Sequence, residues 1–215
     1  MIATLQQGQA GRTRLWDRYW ANQPIGSRWT LDDTKKIASY DNTAGLSACS
    51  VMSAKVHSDK RYFEVYQAVP KSFAEYLGIL PINPSRSGSL APLNEVGISG
   101  LHYRNIDGWI SYAGDNVTTY PPGTIAALWD VGTPTVMMAI DFPAGKVWFG
   151  LNGTWYNSGN PGAGTNATWD SYPKREGHVA FTVDVGSTQT AQIVGHFTAA
   201  DCSYTPPTGF PCWDE

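Results

Sequence analysis

The sequence is short of charge, of helical patterning and of cysteine. Charged residues make up 15% of the chain, against about 25% of an average soluble domain. The 15 basic and 18 acidic side chains leave a net charge of −3. No basic stripe is present to neutralise phosphates, which argues against nucleic acid and anionic membrane surfaces as partners. No run of eighteen or more apolar residues occurs, so no segment reads as a membrane-spanning helix. Heptads are missing, as are the Lys and Glu that a coiled coil needs. The N-terminal stretch MIATLQQGQAGRTRLWDRYW contains no apolar core of a signal peptide, so secretion by that route is not expected. Cys49, Cys202 and Cys212 do not make a disulfide framework, and none lies in CxxC spacing. Cys202 and Cys212 flank a Pro-rich turn that lets them meet, but without an export signal two free thiols are the expected state.

Catalytic patterns are equally sparse. A β-sandwich glycosidase needs two carboxylates about 5–10 Å apart on one concave strand, at i and i+2 or i and i+4. Asp32 and Asp33 are adjacent and face opposite ways, while Asp130 and Asp141 fall on different expected strands. His57, His102, His178 and His196 show neither HxH nor HExxH spacing, so no metal site is expected. On an outward face of two paired strands, His178 and His196 read as a cross-strand surface pair. There is no G-x-S-x-G elbow. Gly145-Lys146 lacks the phosphate-loop pattern, and Gly150-Leu151-Asn152-Gly153 reads as a hairpin. The sequence therefore predicts no enzyme, no metal and no cofactor. Three formal glycosylation sequons, at Asn116, Asn152 and Asn166, read as chance in an Asn/Thr-rich surface.

What is abundant is aromatic and turn-forming. The chain holds 9 Trp, 11 Tyr, 22 Gly and 14 Pro, and 42% of it is hydrophobic, enough to bury a core. Such a composition predicts short strands joined by many turns. Residues 61–66, RYFEVY, place Phe63 and Val65 on one face. Residues 178–185, HVAFTVDV, alternate with Val179, Phe181, Val183 and Val185 inward and His178, Ala180, Thr182 and Asp184 outward. Residues 190–197, TAQIVGHF, put Ala191, Ile193, Gly195 and Phe197 on one face, and Gly186 to Gln189 reads as the turn of a hairpin between the two. Residues 135–141, TVMMAID, and 146–151, KVWFGL, form another hairpin around Phe142 to Gly145, and Asn152-Gly153 starts a third turn. Residues 158–168 read as a long Gly/Asn loop. The sum is roughly a dozen short strands in an antiparallel sandwich.

Residues 1–34 differ. They are rich in Gln, Gly and Arg, with Trp16, Tyr19 and Trp20 at i, i+3, i+4 spacing that suits one face of a short helix. They are expected to form an arm outside the main domain, which spans residues 35–215. In one arrangement the arm crosses to another subunit, burying the three aromatics and pairing Arg12, Arg14 and Arg18 with acidic neighbours. In the other it folds back along its own sandwich and covers an edge strand. Elsewhere, Trp109, Tyr112, Tyr120, Trp169 and Tyr172 lie in or beside turn-rich segments. Exposed aromatics there stack on sugars or anchor protein contacts. The competing reading is that they cap the sandwich or pack under long loops.

Several of these stretches resemble the SPRY (B30.2) family, a bent antiparallel two-sheet jelly-roll sandwich of the concanavalin-like group. Lys60 to Val65 is similar to its early "YFEV" strand. Val136 to Asp141, the turn at Pro143 to Gly145 and Val147 to Trp155 resemble its most specific pattern, "G-V-A-L-D … G-x-v-w-F-x-x-N-G-x-W". Phe197 followed by Tyr204 to Phe210 resembles the closing "F-x-Y-x-P-P-x-G-F". The resemblance covers about residues 35–210. It departs at Tyr76 to Pro81, where the family reads "IGIG", at the Pro/Ser insertion that follows, and at a longer 113–134 region. It implies that Trp148 and Trp155 pack and that Asp141 is a structural aspartate.

The loop NGTWYNSGNPGAGTNA is similar to SPRY versions in tailed-phage and prophage structural proteins. That likeness implies a non-enzymatic virion component, displayed for host-surface attachment or particle decoration. Its partners would be other virion proteins, reached through the arm, and a host-surface glycan or protein. It would act as a homo-oligomer or within a larger assembly, located on the virion. The alternatives are an intracellular adaptor that binds a peptide through its SPRY loops and, further off, a glycan-processing enzyme.

Overall fold

The computed structural model describes residues 17–18, 29–32, 36–41, 49–53, 55–69, 75–80, 101–104, 109–112, 115–119, 134–172, 176–183 and 190–215. Fourteen strands run through them. The first seven are β1 (Asp17–Arg18), β2 (Trp29–Leu31), β3 (Ile37–Asp41), β4 (Cys49–Met52), β5 (Lys60–Val69), β6 (Glu75–Leu80) and β7 (Leu101–Arg104). The rest are β8 (Trp109–Tyr112), β9 (Asp115–Thr119), β10 (Thr135–Asp141), β11 (Lys146–Leu151), β12 (Thr154–Trp155), β13 (His178–Val183) and β14 (Thr190–His196). They form two seven-stranded antiparallel sheets, ordered β1-β4-β13-β6-β7-β8-β9 and β12-β11-β10-β5-β14-β3-β2. The protein is the expected bent all-β sandwich.

Period-two alternation explains which side chains meet. From the second sheet, Phe63, Val65, Val136, Met138, Ile140, Val147, Phe149 and Ile193 point inward; from the first, Leu77, Ile79, Val179 and Phe181 do so. All are fully buried. Phe197 and Trp213 close one side of this core against Phe63, at ring-centroid distances of 5.0 and 6.4 Å. The opposite face of the second sheet carries a second apolar layer of Tyr62, Met137, Ala139 and Trp148, covered by Phe210 and Cys212. Both faces of its central strands are thus buried, which is why the stretch from Val136 to Ile140 is apolar throughout. Ala139 and Trp148, both fully buried, belong to this outer layer. Val183 lies in β13, and its side chain is outside the described residues.

Three expectations change. The strands 178–183 and 190–196 do not form a hairpin. β13 pairs with β4 and β6, whereas β14 pairs with β5 and β3 in the other sheet. Alternation marked both as half-buried strands, and their apolar faces meet across the core instead of lying side by side. His178 and His196 are therefore not a surface pair. His178 is buried, and its Nδ1 donates to the Ser53 carbonyl at 2.7 Å; burial holds its pKa below the ordinary histidine value, against the opposing pull of that contact. Finally, Asp17–Arg18 is extended and registers with Val51–Met52, so no helix spans Trp16 to Trp20. This strand and β2, which registers on β3, lie in the stretch expected to be an arm, and each sits at an edge of a sheet of its own chain. Residues 1–16, 19–28 and 33–34 lie outside the described residues. Arg12, Arg14, Trp16, Tyr19 and Trp20 lie outside the described residues, as does the side chain of Arg18.

Candidate functional site

Two segments far apart in sequence come together beside the outer layer. The first is the loop after β12. Asn152 and Gly153 both have positive φ, 47° and 84°, the requirement of the tight Asn-Gly hairpin turn that reverses β11 into β12. A short 3-10 turn over Tyr156–Ser158 follows. The Gly-rich stretch beyond it is stitched into a ring by reciprocal Asn160–Thr165 backbone hydrogen bonds, both 3.1 Å. Three groups of β11 hold that ring on the sheet. Lys146 Nζ donates to the Gly164 carbonyl at 2.7 Å, Trp148 Nε1 donates to the Thr165 carbonyl at 2.8 Å, and the Phe149 amide donates to Thr168 Oγ1 at 3.0 Å.

The second segment is 198–215, anchored by Glu64. This carboxylate sits on the outer face of β5 and is fully buried. It accepts the Tyr62 hydroxyl at 2.6 Å and the Tyr204 amide at 2.9 Å on Oε1. On Oε2 it accepts the Ser203 amide at 2.7 Å and His196 Nδ1–H at 3.0 Å. An ionised carboxylate only accepts, so the His196 proton is on Nδ1. Burial alone would raise the Glu64 pKa; the hydrogen bonds from His196, Tyr62 and the two amides outweigh it and hold the pKa below the ordinary carboxylate value. The same arrangement, burial first and then the bond to Glu64, pushes the Tyr62 phenol far up, so it stays a donor.

Between the two segments lies a cleft of about 440 Å³. Ser158, Asn160 and Pro161 line it from one side, Thr205, Pro207 and Thr208 from the other, and half-buried Trp155 completes it. Tyr204 fixes the spacing, because its ring lies where a Cβ on Gly153 would stand, only 2.8 Å away. Gly153→Ala should therefore cost about 1–2 kcal/mol from the left-handed backbone alone, plus displacement of Tyr204; a urea midpoint unchanged within error would refute this contact. Among the described residues that line the cleft none is titratable, so the site offers hydroxyls, an amide, prolines and an indole, and neither a general acid nor a base. Its lining is uncharged and mixes polar with apolar groups. Among the described residues no cluster of His, Cys, Asp or Glu is arranged to hold a metal ion.

Of the loop aromatics expected to bind ligand, the two whose side chains are described, Trp169 and Tyr172, do not line the cleft. Tyr172 is 1% exposed and packs in the main core, 6.3 Å from Phe142 between ring centroids. Trp169 is half-buried against that core, and its backbone pairs with Val147. These two follow the packing reading. Trp109 and Tyr112 lie in β8 with side chains outside the described residues, and Tyr120 is outside them altogether. Trp155, expected only to pack, does pack edge-on to Tyr62 at 6.1 Å and also borders the cleft. Asp141 caps its turn through the Ala144 amide at 3.0 Å and pairs with Lys60 at 3.1 Å, a structural role as expected. Glu64 was missed, although one acid in the apolar run YFEV, on the same face as Tyr62, was a visible anomaly. The second wall of the cleft had no signal beyond its Pro-Pro turn.

Among solved structures, the fold is similar to the SPRY domain of human HERC1, with a TM-score of 0.55 at 10% identity over 78% of this chain and 91% of that one. The PSpry domain of TRIM65 aligns with a TM-score of 0.49 at 12% identity, over 79% of this chain and 84% of that one. The first likeness establishes a SPRY-like fold. No family model matches the sequence, and no curated protein matches it.

Proposed function

We propose that this SPRY-like sandwich is a non-enzymatic binding module that recognises an uncharged polar stretch of a protein partner in the cleft between residues 158–162 and 205–208. The uncharged lining carries the reading: one indole, two prolines, three hydroxyls and one amide, with no carboxylate pair for hydrolysis. Aromatic and proline surfaces give contact area at low entropic cost, and the polar groups fix orientation.

In its finer form the proposal places the module on the virion of a tailed phage, for host-surface attachment or particle decoration. The loop whose composition suggests that origin, residues 152–167, includes one wall of the cleft. A host-surface glycan is the second ligand class, since an indole beside hydroxyls and an amide also suits a neutral sugar.

Two measurements test this reading. Trp155→Ala, with its fold verified by circular dichroism, is expected to weaken binding to host cells or isolated host surface about ten-fold, the loss typical of an aromatic anchor. Equal binding would remove the cleft from recognition. Imaging purified particles for this polypeptide tests the location; its absence from them would end the virion reading and leave the cleft untouched.

A further inference from the structure

Cys202 and Cys212 are ten residues apart in sequence, and their sulfurs stand 3.5 Å apart. Both are held in place from one strand. The Ser203 and Tyr204 amides, directly after Cys202, are fixed to Glu64 on β5. On the other side, the Tyr62 amide of β5 donates to the Pro211 carbonyl at 2.9 Å, and Tyr62 forms a parallel bridge with Cys212. Arg61 Nη1 adds a hydrogen bond of 3.0 Å to the Cys212 carbonyl. Cys212 is fully buried, while Cys202 keeps partial exposure. The intervening residues include Thr205, Pro207 and Thr208, one wall of the cleft.

We infer that Cys202 and Cys212 are a disulfide-forming pair, closed by exchange with an oxidised low-molecular-weight disulfide such as glutathione disulfide, and that the bond staples the segment carrying this wall. The Cys202 thiol first loses its proton, and its thiolate attacks the glutathione disulfide. A Cys202–glutathione mixed disulfide forms and one glutathione thiolate leaves. The Cys212 thiolate then attacks the Cys202 sulfur, forming the Cys202–Cys212 bond and releasing the second glutathione thiolate. Two electrons pass from the protein dithiol to glutathione disulfide, and the two thiol protons end on the two glutathiones. The sulfurs must move from 3.5 Å to about 2.05 Å. Their closeness makes the second step intramolecular, which disfavours a lasting mixed disulfide.

Reaction requires the thiolate. The hydrogen bond to Cys212, burial and the charge of Glu64 push the Cys202 thiol well above the ordinary cysteine value. Closure is therefore slow at neutral pH, and its rate should rise about ten-fold per pH unit between pH 7 and 9.

The test uses the native chain equilibrated in glutathione mixtures, quenched with an alkylating agent and mapped by mass spectrometry. The expected result is a Cys202–Cys212 cross-linked peptide in the oxidising mixtures. Chymotryptic cleavage after Tyr204 should then be about ten-fold slower than in the reduced protein, because the stapled segment opens less. In Cys202→Ser the cleavage rate should not respond to the redox mixture. Thiols that stay open to alkylation in every mixture would overturn the inference, as would a stable mixed disulfide at Cys202 or a bond to Cys49. Mapping on the native chain stands even if the serine variant fails to fold. None of these results depends on what the cleft binds.

Discussion

Glu64→Ala is expected to destabilise the domain by about 3–5 kcal/mol, the cost of leaving several buried hydrogen-bond donors without their acceptor. The carboxylate is fully buried and receives four hydrogen bonds. Alanine would strand the Tyr62 hydroxyl, the His196 ring and the Ser203 and Tyr204 amides, and each buried donor left without a partner costs about 1–3 kcal/mol. The costs do not add fully, because Ser203 and Tyr204 belong to a segment that can move towards water. That movement would also loosen the wall formed by Thr205, Pro207 and Thr208, so ligand affinity should fall together with stability. Glu64→Gln keeps the shape but sets an amide N–H₂ against groups that donate, and should cost about 2–3 kcal/mol. Urea unfolding at pH 7 measures both; a loss under 1 kcal/mol for alanine would show that the network contributes little.

The same carboxylate sets an acid limit. Its folded pKa lies below the ordinary value, so the unfolded chain binds the proton more tightly and stability rises with pH across this titration. The contribution is complete above the unfolded carboxylate value of about 4.3 and is lost as pH falls through the folded pKa. The native protein should lose stability on acidification below about pH 4, and Glu64→Gln should flatten that part of the profile. Identical profiles for the two proteins would assign the acid sensitivity to other groups.

Local pattern carried the fold further than it carried the site. The hairpin β10–β11 was legible to the residue, because its turn chemistry and its alternation agree and both partners are neighbours in sequence. The strands 178–183 and 190–196 were legible as strands, but their pairing was not. Alternation reports that one face is buried and is silent about which strand lies alongside, and the usual preference for sequential neighbours pointed the wrong way here. The candidate site depends on closure between residues 158–162 and 205–208, some fifty positions apart, and no periodicity encodes such a contact. Glu64 and His196 are 132 positions apart; the acid was conspicuous in its strand, and its partner was not. Tyr172 shows the limit for aromatics. A tyrosine in a turn-rich stretch was as compatible with a surface anchor as with the core position it occupies.

Trp148→Ala is expected to cost about 3–5 kcal/mol and to disrupt the cleft from beneath. Trp148 is fully buried in the outer layer, edge-on to Phe210 at 5.9 Å and 86°. Truncating a buried tryptophan removes its transfer free energy and leaves a cavity, which together fall in this range. Two further consequences are particular to this position. The Thr165 carbonyl loses the indole N–H that holds the Gly-rich ring to β11. Gly159 loses the surface on which it rests, since a Cβ there would stand only 2.9 Å from Trp148 Cδ1. Trp148→Phe separates these effects. Phenylalanine refills most of the cavity but cannot donate, so it should cost about 1–2 kcal/mol while still releasing Thr165. If the ring of residues 158–165 is positioned chiefly by that hydrogen bond, both variants should show faster amide hydrogen exchange in this ring at equal denaturant-free stability margins. If packing dominates, only alanine should. A stability loss below 1 kcal/mol for Trp148→Ala would mean that the outer face of the second sheet is not a packed layer, and the cleft above it would lose its rigid support.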